Sequence, residues 1–167
     1  MEYKVIKKQQ NSKRCLVCGL KNQLGLKAAF YELENNEVVA IFQPLDEHQS
    51  YPGILHGGIA GAILDETIGR AIMINYENLF GMTVELNLKY KKPVPLNEEL
   101  RVVGRITRDS GRIFEGTGEI LLKNGDVAVI GKGKYIKMQL DKIAEFDEEK
   151  EEWRVSSSEA DPLKIEI

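Results

Sequence analysis

The sequence predicts an α+β fold in which an antiparallel β-sheet wraps around one long central helix. Three observations lead there. Residues from about Gly57 to Tyr76 form a helical run that is apolar on nearly every side, unlike a surface helix. Two segments before it and four after it read as strands. Turn signals punctuate those strands, the strongest being "KNGD" at 123–126. A helix apolar all round needs a curved sheet to bury its surface.

The elements follow in order. "LKAAFYEL" and "EVVAIFQ" flank the turn-like "ENN" and read as a β-hairpin. "PLDEHQSYPG" is a loop, in which His48 reads as an ordinary polar residue. After the helix, "FGMTVELNLKY" alternates strictly. That places Phe80, Met82, Val84, Leu86, Leu88 and Tyr90 on the core face. "KKPVPLNEE" carries two prolines, which forbid a central strand. "LRVVGRITR", "RIFEGTGEILL" and "VAVIGKGKYIKM" complete a β-β-α-β-β-β-β order, expected to be hairpin-linked throughout. "LDKIAEFDEEKEEW" is expected as a charged helix, and "RVSSSEADPLKIEI" as frayed or docked late. The expected division is an N-terminal arm with a CxxC turn (1–19), a folded domain (20–138) and an acidic tail (139–167).

Composition narrows the function classes. The 167 residues suffice for one domain with a real core, and 43% hydrophobic with 29% charged residues is ordinary for a globular protein. No apolar run is long enough to span a bilayer; the oiliest is broken by Asp65, Glu66 and Arg70. "MEYKVIKKQQNSKR" lacks the apolar stretch of a secretory signal, so a cytoplasmic location is expected. The net charge of -3 hides a gradient: from residue 139 onwards 10 acids face 4 bases, a net of -6, leaving +3 for residues 1–138. Much of that surplus sits in the arm. The folded part lacks the basic stripe of a nucleic-acid binder, and none is expected to bind.

The only cysteines are Cys15 and Cys18, in "CLVCG". A zinc site needs four ligands and one C-x-x-C supplies two. A redox pair, or half of a site completed by another chain, are the functional readings. A tight turn with reduced thiols is the simpler one, and no metal is expected.

The chemistry concentrates in "YPGILHGGIAGAILDE", residues 51–66. First-turn N–H groups of a helix lack intrahelical partners and point outwards with the positive end of the dipole. They can polarise a carbonyl and stabilise its oxyanion. Glycines at 57 and 58 admit a substrate to that backbone, or equally let the helix pack closely on the sheet. Glu66 has Arg70 at i+4 and reads as an exposed helix pair. Asp65 has Gly61 and Gly69 at i±4, hence no local partner. A carboxylate without a local counter-ion in an oily helix is costly, so Asp65 reads as a functional group, the alternatives being a base that pairs with it from elsewhere or exposure on a polar seam.

Those residues resemble a known family. "PGILHGGIAGAILDETIG" followed by "MTVELNLKYKKPVPL" looks like the hotdog-fold acyl-CoA thioesterases of the phenylacetate (PaaI-like) type. The likeness spans roughly residues 15–138. "CLVCGLKNQLGL" is similar to a leader found in many relatives, which often have Pro where this chain has Gln23. The resemblance implies hydrolysis of an acyl-CoA to free acid and coenzyme A, without metal or bound cofactor. It implies Asp65 as general base or nucleophile and Gly57 as backbone donor to the thioester oxygen. His56 is implied as the site residue beside Gly57, and Thr83 as a hydroxyl that holds the attacking water. Tyr90, Arg108, Ser110, Gly111 and Arg112 fall where relatives contact coenzyme A, and Ser50 where some have an Asn that contacts the thioester. Strict alternation puts Thr83 away from the core face. Either the strand start is irregular, or the site reaches that side at a subunit boundary. Alternatives are a non-catalytic acyl-CoA-binding protein and a hydratase or dehydratase using His56 with Asp65. A homo-oligomer is expected, a dimer or a dimer of dimers. Gly57 and Asp65 lie eight residues apart, about 12 Å along a helix, too far for one thioester to use both from one chain.

Overall fold

The computed structural model describes residues 1–167. Eight strands form one antiparallel sheet: β1 (Glu2–Lys8), β2 (Ala29–Leu33), β3 (Val38–Phe42), β4 (Phe80–Tyr90), β5 (Leu100–Ser110), β6 (Ile113–Leu121), β7 (Val127–Met138) and β8 (Lys164–Glu166). Helix α1 (Gly57–Arg70) lies against β3 to β7. This is the predicted sheet around a helix. No helix is long and apolar enough to cross a membrane.

The packing explains why α1 is apolar on most sides. Ile63 and Leu64 are fully buried among Phe30, Val102, Ile120 and Val129, while Ile68 packs on Phe114 and Tyr135. Close approach requires Gly104 on β5: a Cβ there would lie 2.7 Å from the Thr67 carbonyl oxygen. After Arg70 the helix tightens into a 3-10 turn (Ala71–Ile74) rather than continuing to Tyr76.

Several expectations need correction. The strand order is β4-β7-β6-β5-β3-β2-β1-β8, so β4 and β5 are not neighbours and the sheet is not hairpin-linked throughout. The prolines of "KKPVPLNEE" steer that segment across the structure, burying Val94 and Leu96 on the way. Residues 2–8 are a strand, held beyond it by Gln9 and Asn11. Both are buried: Gln9 donates to Glu32 (3.0 Å), and Asn11 to the carbonyls of Cys18 (2.8 Å) and Ala28 (2.9 Å). Of the two expectations for residues 154–167, docking is the one that applies, because β8 pairs with β1. The acidic run forms only one helical turn, α2 (Leu140–Ile143). Beyond it Phe146 and Trp153 turn inwards, and Trp153 meets Phe80 edge-on at 5.8 Å.

His48 is also more than a polar loop residue. It is buried, its Nδ1 accepts the Leu45 N–H (2.9 Å), and its Nε2 lies 2.7 Å from the Leu24 carbonyl. An accepting Nδ1 leaves the proton on Nε2, so the ring is neutral and pins two loops together.

The alternation in β4 breaks at Val84. Thr83 pairs with Tyr135 and Glu85 with Lys134, so Val84 is an extra residue, a β-bulge. A bulge exchanges the two faces. Leu86, Leu88 and Tyr90 point to the helix as predicted, but before the bulge it is Gly81 and Thr83 that do so. Met82 and Val84 are turned outwards and exposed, contrary to the alternation.

Candidate active site

Helix α1 opens at His56, an N-cap with extended backbone whose Nδ1 accepts the Gly58 N–H (2.9 Å). The Gly57 N–H finds no acceptor within the chain. Tyr90, carried past the helix start by β4, donates its hydroxyl to the Gly57 carbonyl (2.6 Å). Burial raises the Tyr90 pKa, so the group is a neutral donor at ordinary pH. The helix start therefore presents one free N–H, steadied by a cap on one side and a phenol on the other.

Two turns further along, Asp65 is half-buried and forms no ion pair. Thr83 donates to the carboxylate, 2.9 and 3.0 Å from its two oxygens, and Tyr135 on β7 donates from 3.1 Å. Burial raises the Asp65 pKa, while the Thr83 and Tyr135 hydrogen bonds pull it down. Two neutral donors fix the carboxylate without neutralising it, as a general base requires. The bulge is what delivers Thr83 to this place, so the irregular strand start is the one of the two expected explanations that applies.

Next to Asp65, Glu66 is no exposed pair. It binds Arg70 at 2.9 Å, and the guanidinium is buried against the Phe30 ring at 4.1 Å. Asp65 and Glu66 thus occupy different environments one residue apart. Asp65, Glu66, Thr83, Cys15, Phe80 and Trp153 share the wall of a cavity of about 510 Å³.

The remaining predicted residues lie elsewhere. Arg108, Ser110, Gly111 and Arg112 gather at the β5–β6 hairpin tip, where Gly111 adopts a φ of 52°. None of them lines the Asp65 cavity. Ser50 sits in the loop before α1, its hydroxyl 3.3 Å from the Ile54 carbonyl. One chain therefore brings together Asp65 with Thr83, and separately Gly57 with His56 and Tyr90. Sequence reasoning missed Tyr135 and Trp153. The available signal for Tyr135 was a phenol on a strand rich in core residues, whose hydroxyl needs a partner when buried.

Residues 52–129 match the sequence profile of the Thioesterase superfamily. The chain is 33% identical over 114 residues to the acyl-coenzyme A thioesterase THEM4 of Rattus norvegicus, covering 67% of this chain and 48% of that one. A crystal structure of a thioesterase superfamily protein superposes with TM-score 0.68 at 29% identity, covering 73% of this chain and 59% of the other. The PaaI protein of E. coli, from its phenylacetic acid degradation operon, shares the fold with TM-score 0.60 at 13% identity, over 68% and 80% of the two chains. The chain spans about half the length of the curated relatives it matches first, 55% and 48%. Residues 52–129 thus carry the profile of the Thioesterase superfamily, and the chain has the hotdog fold.

Proposed function

We propose that the protein hydrolyses an acyl-CoA thioester to a free acid and coenzyme A, as a PaaI-like enzyme. The observation that carries this reading is the unpaired, half-buried carboxylate of Asp65, oriented by Thr83 and Tyr135 at a cavity. In the proposed reaction Asp65 takes a proton from water as its oxygen attacks the thioester carbon. The carbonyl oxygen becomes an oxyanion on a Gly57 N–H. Collapse breaks the C–S bond, and the proton leaves with the coenzyme A thiol. Direct attack by the Asp65 carboxylate, then hydrolysis of the anhydride, is the alternative route. Neither needs a metal or bound cofactor. Two free thiols suit a reducing, cytoplasmic location. A screen over short-chain, long-chain and aromatic acyl-CoAs, reading thiol release, tests the assignment; no release from any of them refutes it.

The site is proposed to join two chains. Gly57 opens the 14-residue α1 and Asp65 lies eight residues on, about 12 Å along the helix. The oxyanion donor and the attacking group must each come within about 3 Å of one carbonyl. A two-fold dimer in which Gly57 of one subunit faces Asp65 of the other meets both requirements. Asp65→Asn and Gly57→Pro are each expected to be inactive, the proline being tolerated in a first helical turn. Unfolded together and refolded in equal amounts, they are expected to regain about a quarter of wild-type activity in mixed dimers. No recovery overturns the two-chain site.

Arg108 and Arg112 at the hairpin tip are proposed to grip the nucleotide of coenzyme A, with Ser110 and Gly111 shaping the tip. Arg112→Ala is expected to raise KM more than it lowers kcat, and less with a truncated thioester that lacks the nucleotide. Equal effects on both substrates remove it from the site.

Thr83 sets the pH response. Its hydrogen bond favours the charged carboxylate, so Thr83→Val is expected to shift the acid limb of kcat/KM to higher pH. Tyr135→Phe is expected to act in the same direction. A limb that stays put, or moves down, counts against Asp65 as the titrating base.

A further inference from the structure

The CxxC turn meets a third ligand that no sequence spacing announces. Cys15 Sγ lies 3.1 Å from Glu66 Oε2, across 51 residues of chain. The two sulfurs and the Glu66 carboxylate oxygen all lie within 4.8 Å of one another. The geometry points to a divalent-metal site of the zinc class formed by Cys15, Cys18 and Glu66, with its fourth position open to the Asp65 cavity. Two cysteines alone are too few for such a site; three protein ligands and one water make a complete tetrahedral shell.

The turn itself is built for ligation. The Val17 and Cys18 N–H groups both aim at Cys15 Sγ, at 3.3 and 3.4 Å, and the Ser12 hydroxyl lies 3.4 Å from Cys18 Sγ. Hydrogen bonds of this kind orient and stabilise thiolate ligands. The turn closes through the Gly19 N–H on the Cys15 carbonyl (2.8 Å), where a Cβ would lie 2.4 Å from that oxygen. A redox C-x-x-C of the thioredoxin kind sits at a helix N-terminus; no helix follows Cys18. Two thiolates select zinc over the hard cations calcium and magnesium.

Charge closes as well. Uptake converts two thiols to thiolates and releases two protons to solvent. Two thiolates and the Glu66 carboxylate carry three negative charges. The metal dication supplies two positive charges, and Arg70, which binds the other Glu66 oxygen, supplies the third. The loaded site is neutral, as its burial demands.

Cobalt is the probe, titrated into the fully reduced full-length protein without oxygen. One Co²⁺ per chain is expected, with the visible bands of tetrahedral cobalt and a sulfur-to-cobalt charge-transfer band in the near ultraviolet, all abolished by one equivalent of Zn²⁺. Cys15→Ser is expected to reduce the charge-transfer band by about half, as one of two thiolates is lost, and to weaken binding by roughly tenfold or more. No saturable uptake at one per chain, uptake without the charge-transfer band, or a band unchanged in Cys15→Ser each overturns the site. Should Cys15→Ser fail to fold, the wild-type stoichiometry and spectrum decide. None of these readouts depends on thioester hydrolysis, so the site stands or falls apart from the proposed activity.

Discussion

Asp65→Asn is expected to lower thioester turnover by about 10²-fold or more while leaving a folded protein that melts no lower than wild type. The asparagine has the same shape, and the Thr83 and Tyr135 hydroxyls can turn to accept from its amide. What disappears is the only half-buried carboxylate in the cavity that lacks a counter-ion. The stability half of the expectation comes from the raised pKa of Asp65 in the fold. A carboxylate whose folded pKa lies above its unfolded value prefers to be protonated when folded. Its ionisation opposes folding above that pKa, and the opposition fades as pH falls through it. The neutral Asn removes it at every pH. Turnover by thiol release, and melting temperature at neutral pH, check both halves. An active Asp65→Asn enzyme beside a folded but inactive Glu66→Gln one would mean that the wrong carboxylate carries the reaction.

Glu66→Ala is expected to destabilise the protein by about 3–5 kcal/mol, the range for breaking one side of a buried ion pair. Arg70 is buried and cannot recover water when its partner goes. It keeps the Gln10 carbonyl at 2.9 Å and the faces of Phe30 and Trp153, but no anion. A loss of that size is a large part of the 5–15 kcal/mol that holds a typical domain together. Glu66→Gln retains an acceptor for the guanidinium and is expected to fall between Ala and wild type. Urea denaturation measures the difference. A change below about 1 kcal/mol for the alanine variant would show the pair to behave as an exposed one. As a sequence pattern the i,i+4 spacing of Glu66 and Arg70 reads as an exposed helix pair. The arm and the tail are what bury it.

That contrast separates what each level determined. Local pattern was enough for the positions of most strands, for α1 and for the lack of a helix partner at Asp65, because periodicity, turn chemistry and a charge with no neighbour at i±4 are properties of short segments. Hence β2 to β7 fall where their alternation and turns place them, and the one acid without a helix partner is the one found without an ion pair. The pairing of β4 with β7 rather than β5, and the docking of β1 and β8, depend on contacts between residues far apart in sequence, which no short window contains. The bulge at Val84 is the sharpest case: one extra residue on β4 exchanges two faces, exposing Met82 and delivering Thr83 to Asp65, while the residues themselves still read as perfect alternation. Tyr135 at Asp65 and Glu66 at Cys15 belong to the same class, since a hydrogen bond across 70 or 51 residues exists only after the chain has closed on itself. The sequence by itself determined which chemical groups this protein has and which elements carry them. Only the tertiary structure decided which of them meet, because side-chain chemistry and period are local while register and burial are set by the whole fold.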